Sequence, residues 1–166
     1  MTATLEQRQC EYVPHVMILP IGAQLEIVNS DAVLHNVHAY FMRDQPDSLF
    51  NIAQPKRSLR RVVRLIPTAG LLMITCDIHP WMNAYIRVAE HPYFAVTDEE
   101  GHYVLDNVPP GSYKIRMWHE GVAVIDRELE RDRVRKYQFE EPYEVMKDVR
   151  VPPKATVSVD FELALH

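Results

Sequence analysis

No stretch of this sequence approaches the eighteen or more apolar residues that a membrane-spanning helix needs. Hydrophobic residues nevertheless make up 47% of the 166 positions, ample for burying the cores of one full domain or two small ones. An excess of positive charge is also missing: 18 Lys and Arg stand against 23 Asp and Glu, a formal net charge of -5. Nucleic acid is therefore a poor partner. The acidic excess lies entirely after residue 90, since the first ninety positions balance. The opening "MTATLEQRQC" lacks the charged-then-apolar profile of a secretion signal. A polar start of this kind is what remains when an export signal has been replaced by an initiator Met, so the compartment has to be argued from chemistry. Paired carboxylates, a Ser-His-Asp order, a phosphate loop and an open-site metal triad are all absent, which leaves hydrolytic and transferase chemistry without machinery. The expectation is a soluble globular protein that is not an enzyme. Only two cysteines occur, Cys10 and Cys76, so a single disulfide is the most the chain can form.

What is present is β pattern almost throughout. Segments such as "HVMILPIGAQLEIVN", "LRRVVRLIP", "LLMITC", "NAYIRVAE", "YFAVTD", "HYVLDNV", "SYKIRMW", "GVAVIDRELE" and "ATVSVDFELAL" are short and rich in Val, Ile, Tyr and Phe. Gly, Pro, Asn and Asp divide them. Asp126 to Tyr137 alternates charge densely and fits an edge hairpin as well as a helix. A boundary falls at "AEHPYF", which separates residues 1-90 from residues 91-166. After it "DEEG" and "VPPG" each turn the chain between strands. The predicted fold is all-β, two β-sandwiches in series. Over residues 92-118 the Thr-Asp, turn Gly, aromatic, Pro-Gly, Tyr order resembles the small transthyretin-like sandwich of the carboxypeptidase regulatory domain.

The chemistry gathers in "TCDIHPWMN", residues 75-83, where Cys76, His79 and Met82 stand three apart. A thiolate near an imidazole serves a zinc site, a nucleophile with its base, a disulfide half or a copper site. The thioether discriminates among these. It is a poor zinc ligand and has no role in acyl transfer, yet it is the usual weak axial ligand where a Cys and two His hold copper in a trigonal plane. A second histidine is then required from another strand, and "NSDAVLHNVHAY" offers His35 and His38. Three apart on an extended strand, those two point to opposite faces.

In this order, a strand running into "HNV", a Gly-led strand "GLLMITC" and then Cys, His and Met at three-residue steps, residues 9-90 resemble the cupredoxins, the single-copper (type 1, blue copper) electron carriers. The loop "CDIHPWM" is similar in spacing to the short amicyanin type of these plastocyanin-like proteins, including the Pro after the second His. The resemblance implies a Greek-key β-sandwich binding one copper ion per chain through His35, Cys76, His79 and Met82. It also implies that Asn36 ties the two ligand loops together. His38, lacking a following Asn, is left as a surface or supporting residue, and His15 as a structural one. Trp81 either caps a core or, in its functional reading, sits beside His79 and helps form an apolar docking patch. The remaining methionines, Met17, Met42, Met73, Met117 and Met146, are too scattered for a copper store and read as packing.

The implied activity is one-electron transfer between transient redox partner proteins, by Cu(II)/Cu(I) cycling in the periplasm or otherwise outside the cytoplasm. The basic stretch "KRSLRRVVR", Lys56 to Arg64, is either a solvated strand face or the charged rim of the docking patch. Two other readings remain open. One is a copper-binding carrier or buffer that exchanges the ion, aided by His15, His38 or Cys10. The other is a metal-free β-sandwich scaffold in which a Cys10 to Cys76 disulfide replaces the site. Neither the partner, the reduction potential nor the oligomeric state is legible.

Overall fold

The computed structural model describes residues 1-163 apart from 44, 59, 60 and 66, with the side chains of 61, 62 and 64 left aside. Thirteen strands and no helix occur among the described residues, in keeping with the all-β expectation. The first ninety residues build two sheets. In one, β1 (Thr2–Arg8) lies between β2 (Glu11–Val13) and β4 (Gln24–Asn29), and β7 (Arg61–Arg64) closes the far side of β4. In the other, the order is β3 (Val16–Pro20), β9 (Asn83–Ala89), β8 (Gly70–Thr75), β5 (His35–Phe41), β6 (Asp47–Gln54). Two pairings are parallel, β1 with β4 and β3 with β9, and the rest are antiparallel.

Period-two alternation explains why these segments are strands and which face each buries. Leu5 and Gln7 of β1 and Leu25, Ile27 and Asn29 of β4 are buried while their neighbours face outward. Leu72 and Ile74 of β8, Val37, Ala39 and Phe41 of β5, and Ala84, Ile86 and Val88 of β9 do the same in the other sheet. The apolar residues among these join one cluster, so the two sheets form a sandwich around a shared core. Each fully buried Leu or Ile there contributes about 1.5–3 kcal/mol over its exposed state. Gly70 leads β8 because the Phe41 ring occupies the space a Cβ would need, and its φ of +154° disfavours other residues.

The opening residues, polar to the eye, are therefore a working strand rather than a featureless leader. Their register against β4 pairs Leu5 with Ile27 and Gln7 with Asn29. Gln7 is fully buried because its Nε2 donates to Val28 O at 3.3 Å and to Gln54 Oε1, while Gln54 Nε2 donates to Ile27 O at 3.2 Å. Such bonds offset the desolvation that would otherwise exclude an amide from the core.

Beyond residue 90 the strands pair two by two. β10 (Gly111–His119) runs antiparallel to β13 (Tyr143–Val151), and β11 (Val124–Glu130) to β12 (Arg133–Phe139). The charged stretch Asp126 to Tyr137 is thus a hairpin. Its two-residue turn, Arg131 and Asp132, takes positive φ at both positions (50° and 63°), the mirror-image turn that matches strand twist. "YFAVTD", "HYVL" and residues 155-163 of "ATVSVDFELAL" run without a sheet partner among the described residues. Residue type alone did not supply the ladder that makes a strand. The Asp98 turn does form, with Oδ1 accepting from the amides of Glu100 (3.1 Å) and His102 (2.7 Å).

This second part meets the sandwich along β9. Trp118 lies edge-on to Tyr85 (5.3 Å between centroids) and under the Arg87 guanidinium (5.8 Å), and Arg87 reaches Glu144 at 3.6 Å. His15 completes the contact: Nδ1 lies 3.0 Å from Asn83 O, and Nε2 bonds the Glu120 carboxylate. The bond to Glu120 holds the His15 imidazole protonated to higher pH than usual, against burial, with Glu11 a smaller aid. The proton is bound more tightly folded than unfolded. Its stabilising contribution is full below the ordinary histidine pKa of about 6.5 and is lost as pH rises through the raised folded value. With the His15 side chain 45% exposed, the size falls within the about 0–1 kcal/mol of exposed pairs. Melting measured from pH 6 to pH 8 should show a small decline that Glu120→Gln flattens. An identical slope in both proteins would remove this role for the pair.

Candidate metal centre

The strand alternation that fills the core also delivers the site residues. Inward positions 35, 37, 39 and 41 of β5 start with His35, which is 0% exposed. Inward positions 72 and 74 of β8 continue to Cys76, and inward positions 84, 86 and 88 of β9 extend back to Met82, each 2% exposed. Antiparallel pairing of His38 with Thr75 sets the start of β5 beside the end of β8, and pairing of Thr75 with Asn83 closes a seven-residue loop, 76-82, at the same end of the sandwich. That loop is tightened by the Met82 amide donating to His79 O (2.9 Å) and the Cys76 amide to Met82 O (3.2 Å).

Three donor atoms converge there. His35 Nδ1 and His79 Nδ1 are 2.9 Å apart, Cys76 Sγ is 3.7 Å from His79 Nδ1, and one ligand atom from each of the three lies within 4.8 Å of the others. Two imidazole nitrogens and a thiolate facing one another, with a buried thioether on the same loop, are a donor set that suits copper and fits zinc poorly. His79 is half-buried, and both burial and the neighbouring His35 hold its pKa below the ordinary value, which keeps the ring neutral. Neutral imidazole is the form that binds a metal.

Asn36, the residue after His35, ties the two loops. Its Oδ1 accepts from the Asp77 amide (2.8 Å) and the Cys76 thiol (3.3 Å), and its Nδ2 donates to Asp77 Oδ2 (2.9 Å) and Asn51 Oδ1 (2.8 Å). His38 faces the other side of β5. It stacks on Tyr40 (4.1 Å between centroids) and places Nδ1 3.1 Å from Asp77 Oδ1 and Nε2 2.8 Å from Ser48 Oγ, away from the converging donors. Asp77 is in turn held below the usual carboxylate range: burial works to raise it, but His38 and the amides of Asn51 and Asn36 outweigh that. His15 is engaged with Glu120, and His91, His102 and His119 lie in the second part of the chain, outside the grouping. Leu59 and Arg60 of the basic stretch Lys56 to Arg64 lie outside the described residues, and so does any rim they would form.

Sequence reasoning missed Tyr12, Asp31 and the bond from Trp81 to Cys10, although it set Trp81 beside His79. Tyr12 is buried with its hydroxyl against the carbonyls of Asn36 and Thr75 (3.0 Å to the latter), and burial, then Cys76 and Asp77, push its pKa far up. Trp81 is 53% exposed, with its ring 5.2 Å from His79 and its indole N–H donating to Cys10 O (3.1 Å). Asp31 receives His35 Nε2 at 2.8 Å. Burial works to raise the Asp31 pKa, yet the amides of Cys10 and Gln9 and the His35 ring bring it below the ordinary range. A carboxylate four residues before a candidate ligand was the available signal for Asp31. Both Cys10 and Cys76 are free thiols in the structure.

No protein-family model matches the chain, and no curated protein does. Among solved structures it is similar to a reduced Cu(I) form, at pH 4, of an amicyanin variant, with 20% identity over 52% of this chain and 80% of that one and a TM-score of 0.45. It is similar also to a purple cupredoxin from Nitrosopumilus maritimus, with 21% identity over 52% of this chain and 99% of that one, TM-score 0.45. A copper-containing nitrite reductase from Thermus scotoductus SA-01 shares 22% identity over 55% of this chain but 23% of that one, TM-score 0.43.

Proposed function

We propose that this protein carries single electrons on one copper ion held by His35, Cys76, His79 and Met82. The observation that carries the reading is the convergence of two imidazole Nδ1 atoms and the Cys76 Sγ beside a buried methionine. Copper held by such a set would supply one-electron redox chemistry with little rearrangement of its ligands. The chain supplies the rigidity. His35 opens core strand β5 and Cys76 directly follows core strand β8, Asn36 locks their separation, and the loop bonds at Met82 hold the fourth residue in place.

Electron entry is assigned to the half-buried His79, whose surroundings expose apolar surface. Ile78 (47%) and Trp81 (53%) share its loop, and Val33 (45%) and Leu34 (48%) directly precede His35. A small apolar patch of this kind favours brief contacts that release within a turnover. The same proposal makes the protein a carrier and not an enzyme. It places the protein in the periplasm or otherwise outside the cytoplasm, with transient redox proteins as partners. No helix among the described residues is long and apolar enough to cross a membrane. We further propose that residues 1-90 form the copper unit and residues 91-166 a separate β unit. In support, every buried apolar side chain among the described residues lies at or before Val88.

The test is an absorption spectrum after adding Cu(II), before and after ascorbate, followed by electron self-exchange and copper transfer to a chelator in the same preparation. An intense visible band that ascorbate bleaches, with fast self-exchange and slow metal loss, is the expected result. A colourless complex that surrenders its ion quickly would instead make the protein a copper carrier. Met82→Leu should keep the band and move the potential upward, because a donor that favours the oxidised ion is lost. Trp81→Glu should slow self-exchange with spectrum and copper content unchanged.

A further inference from the structure

Asp31 is built into the site more firmly than a surface carboxylate needs to be. Its Oδ1 accepts from the Gln9 amide (2.8 Å) and its Oδ2 from the Cys10 amide (2.9 Å). Both residues sit at φ 57°, a left-handed pair at the end of β1 that turns two successive N–H groups toward one anion. The main chain of Asp31 is clamped as well. Its amide donates to Asn29 Oδ1 (2.9 Å), and its carbonyl accepts from the Arg57 amide (2.9 Å). Asn29 is buried and donates in turn to Val33 O and Gln54 O, both at 3.0 Å. What this frame presents is the Asp31 carboxylate, 2.8 Å from Nε2 of the fully buried His35.

A ring that binds a metal through one nitrogen carries its proton on the other, and the Asp31 carboxylate, held by two amide donors, lies on the Nε2 side of His35, which leaves Nδ1 for ligation. Nδ1 is the atom that faces His79 and Cys76. We propose that Asp31 is a positioning residue that fixes the His35 tautomer for ligation through Nδ1 and, by its charge, lowers the reduction potential of the copper site. This inference rests on the copper reading above. The electrostatics follow from Coulomb's law: a fixed negative charge behind a ligand stabilises the doubly charged ion more than the singly charged one, and an imidazole that donates to a carboxylate is the stronger base. Asp31 is not itself a ligand in this account, because it meets His35 on the Nε2 side of the ring while His79 and Cys76 face Nδ1. Cys10, Asp31 and His35 also bring one ligand atom each within 4.8 Å of one another, and an ion held there would need the Nε2 lone pair that this account gives to a proton.

Asp31→Asn preserves an acceptor for Nε2–H while deleting the charge, and Asp31→Ala deletes both. For the copper-loaded Asn variant, the ratio of Cu(I) to Cu(II) affinity should rise about tenfold, a shift of ~59 mV upward for one electron. A merely structural aspartate would leave the potential of the Asn variant unchanged. Long-range proton–nitrogen NMR on the metal-free protein should show His35 as its Nε2–H tautomer in the wild type and as a mixture in Asp31→Ala. The proposal is overturned by an unchanged potential in copper-loaded Asp31→Asn, or by a wild-type His35 protonated at Nδ1. It is equally overturned by a second equivalent of copper that Cys10→Ala abolishes, which would make Asp31 a ligand. Should Asp31→Asn fail to fold, the wild-type NMR result decides alone. A wild-type protein that takes up no copper ends the copper reading and this one with it, whereas a coloured wild type with an indifferent Asn variant ends this one only.

Discussion

Cys76→Ser should abolish the intense visible band of the copper-loaded protein while leaving the fold in place. The band requires a thiolate bound to the metal, and the described residues offer one other thiol, Cys10, which neighbours Asp31 and His35 on the Nε2 side of the ring. Serine fits the same buried position, and its hydroxyl can donate to Asn36 Oδ1 as the thiol does at 3.3 Å. The structural cost should therefore stay near the about 0.5–1.5 kcal/mol net value of one hydrogen bond. Absorption after Cu(II) addition and urea unfolding of the metal-free protein check the two halves. A band that persists in the serine variant would withdraw Cys76 from the ligand set.

Asn36→Leu should carry the second large effect, this time on stability and on the site together. Asn36 is 5% exposed and makes four side-chain bonds, to the Asp77 amide and carboxylate, to Asn51 and to the Cys76 thiol. Leucine is close in volume but leaves the buried ends of these bonds without partners, each such loss costing about 1–3 kcal/mol. Asp77 is half-exposed, so water recovers part of this, and a net loss of about 1–3 kcal/mol is expected. Because the same side chain holds β5 against the residue after Cys76, copper affinity should fall too. Chemical denaturation with and without copper measures both; full stability with unchanged affinity would show that the loops are fixed by other contacts.

The legibility of the fold follows the distance over which each feature is encoded. Strand character along "LLMITC" and "NAYIRVAE" was readable because alternation is a property of neighbours, and β8 and β9 lie there. The opening strand was missed. Its outward residues Thr2, Thr4, Glu6 and Arg8 hide the buried Leu5 and Gln7, and a glutamine enters a core only where Val28 and Gln54 await it. The stretch 155-163, unpaired among the described residues, shows the converse: local preference without a partner strand makes no sheet.

For the site, the sequence by itself determined the donor types and their spacing. Cys76, His79 and Met82 belong to one loop closed by adjacent strands, and His35 and His38 are separated onto opposite faces by the two-residue period of β5. Only the tertiary structure decided what stands behind those donors. Asp31 is clamped by the Gln9 and Cys10 amides because parallel pairing of β1 with β4 carries that turn to the loop before His35. Tyr12 reaches Asn36 and Thr75 because β2 folds back on β1, and Trp118 meets Tyr85 across a fifth of the chain. Parallel pairing and docking of distant segments depend on the summed burial of many side chains, which no short window of sequence contains.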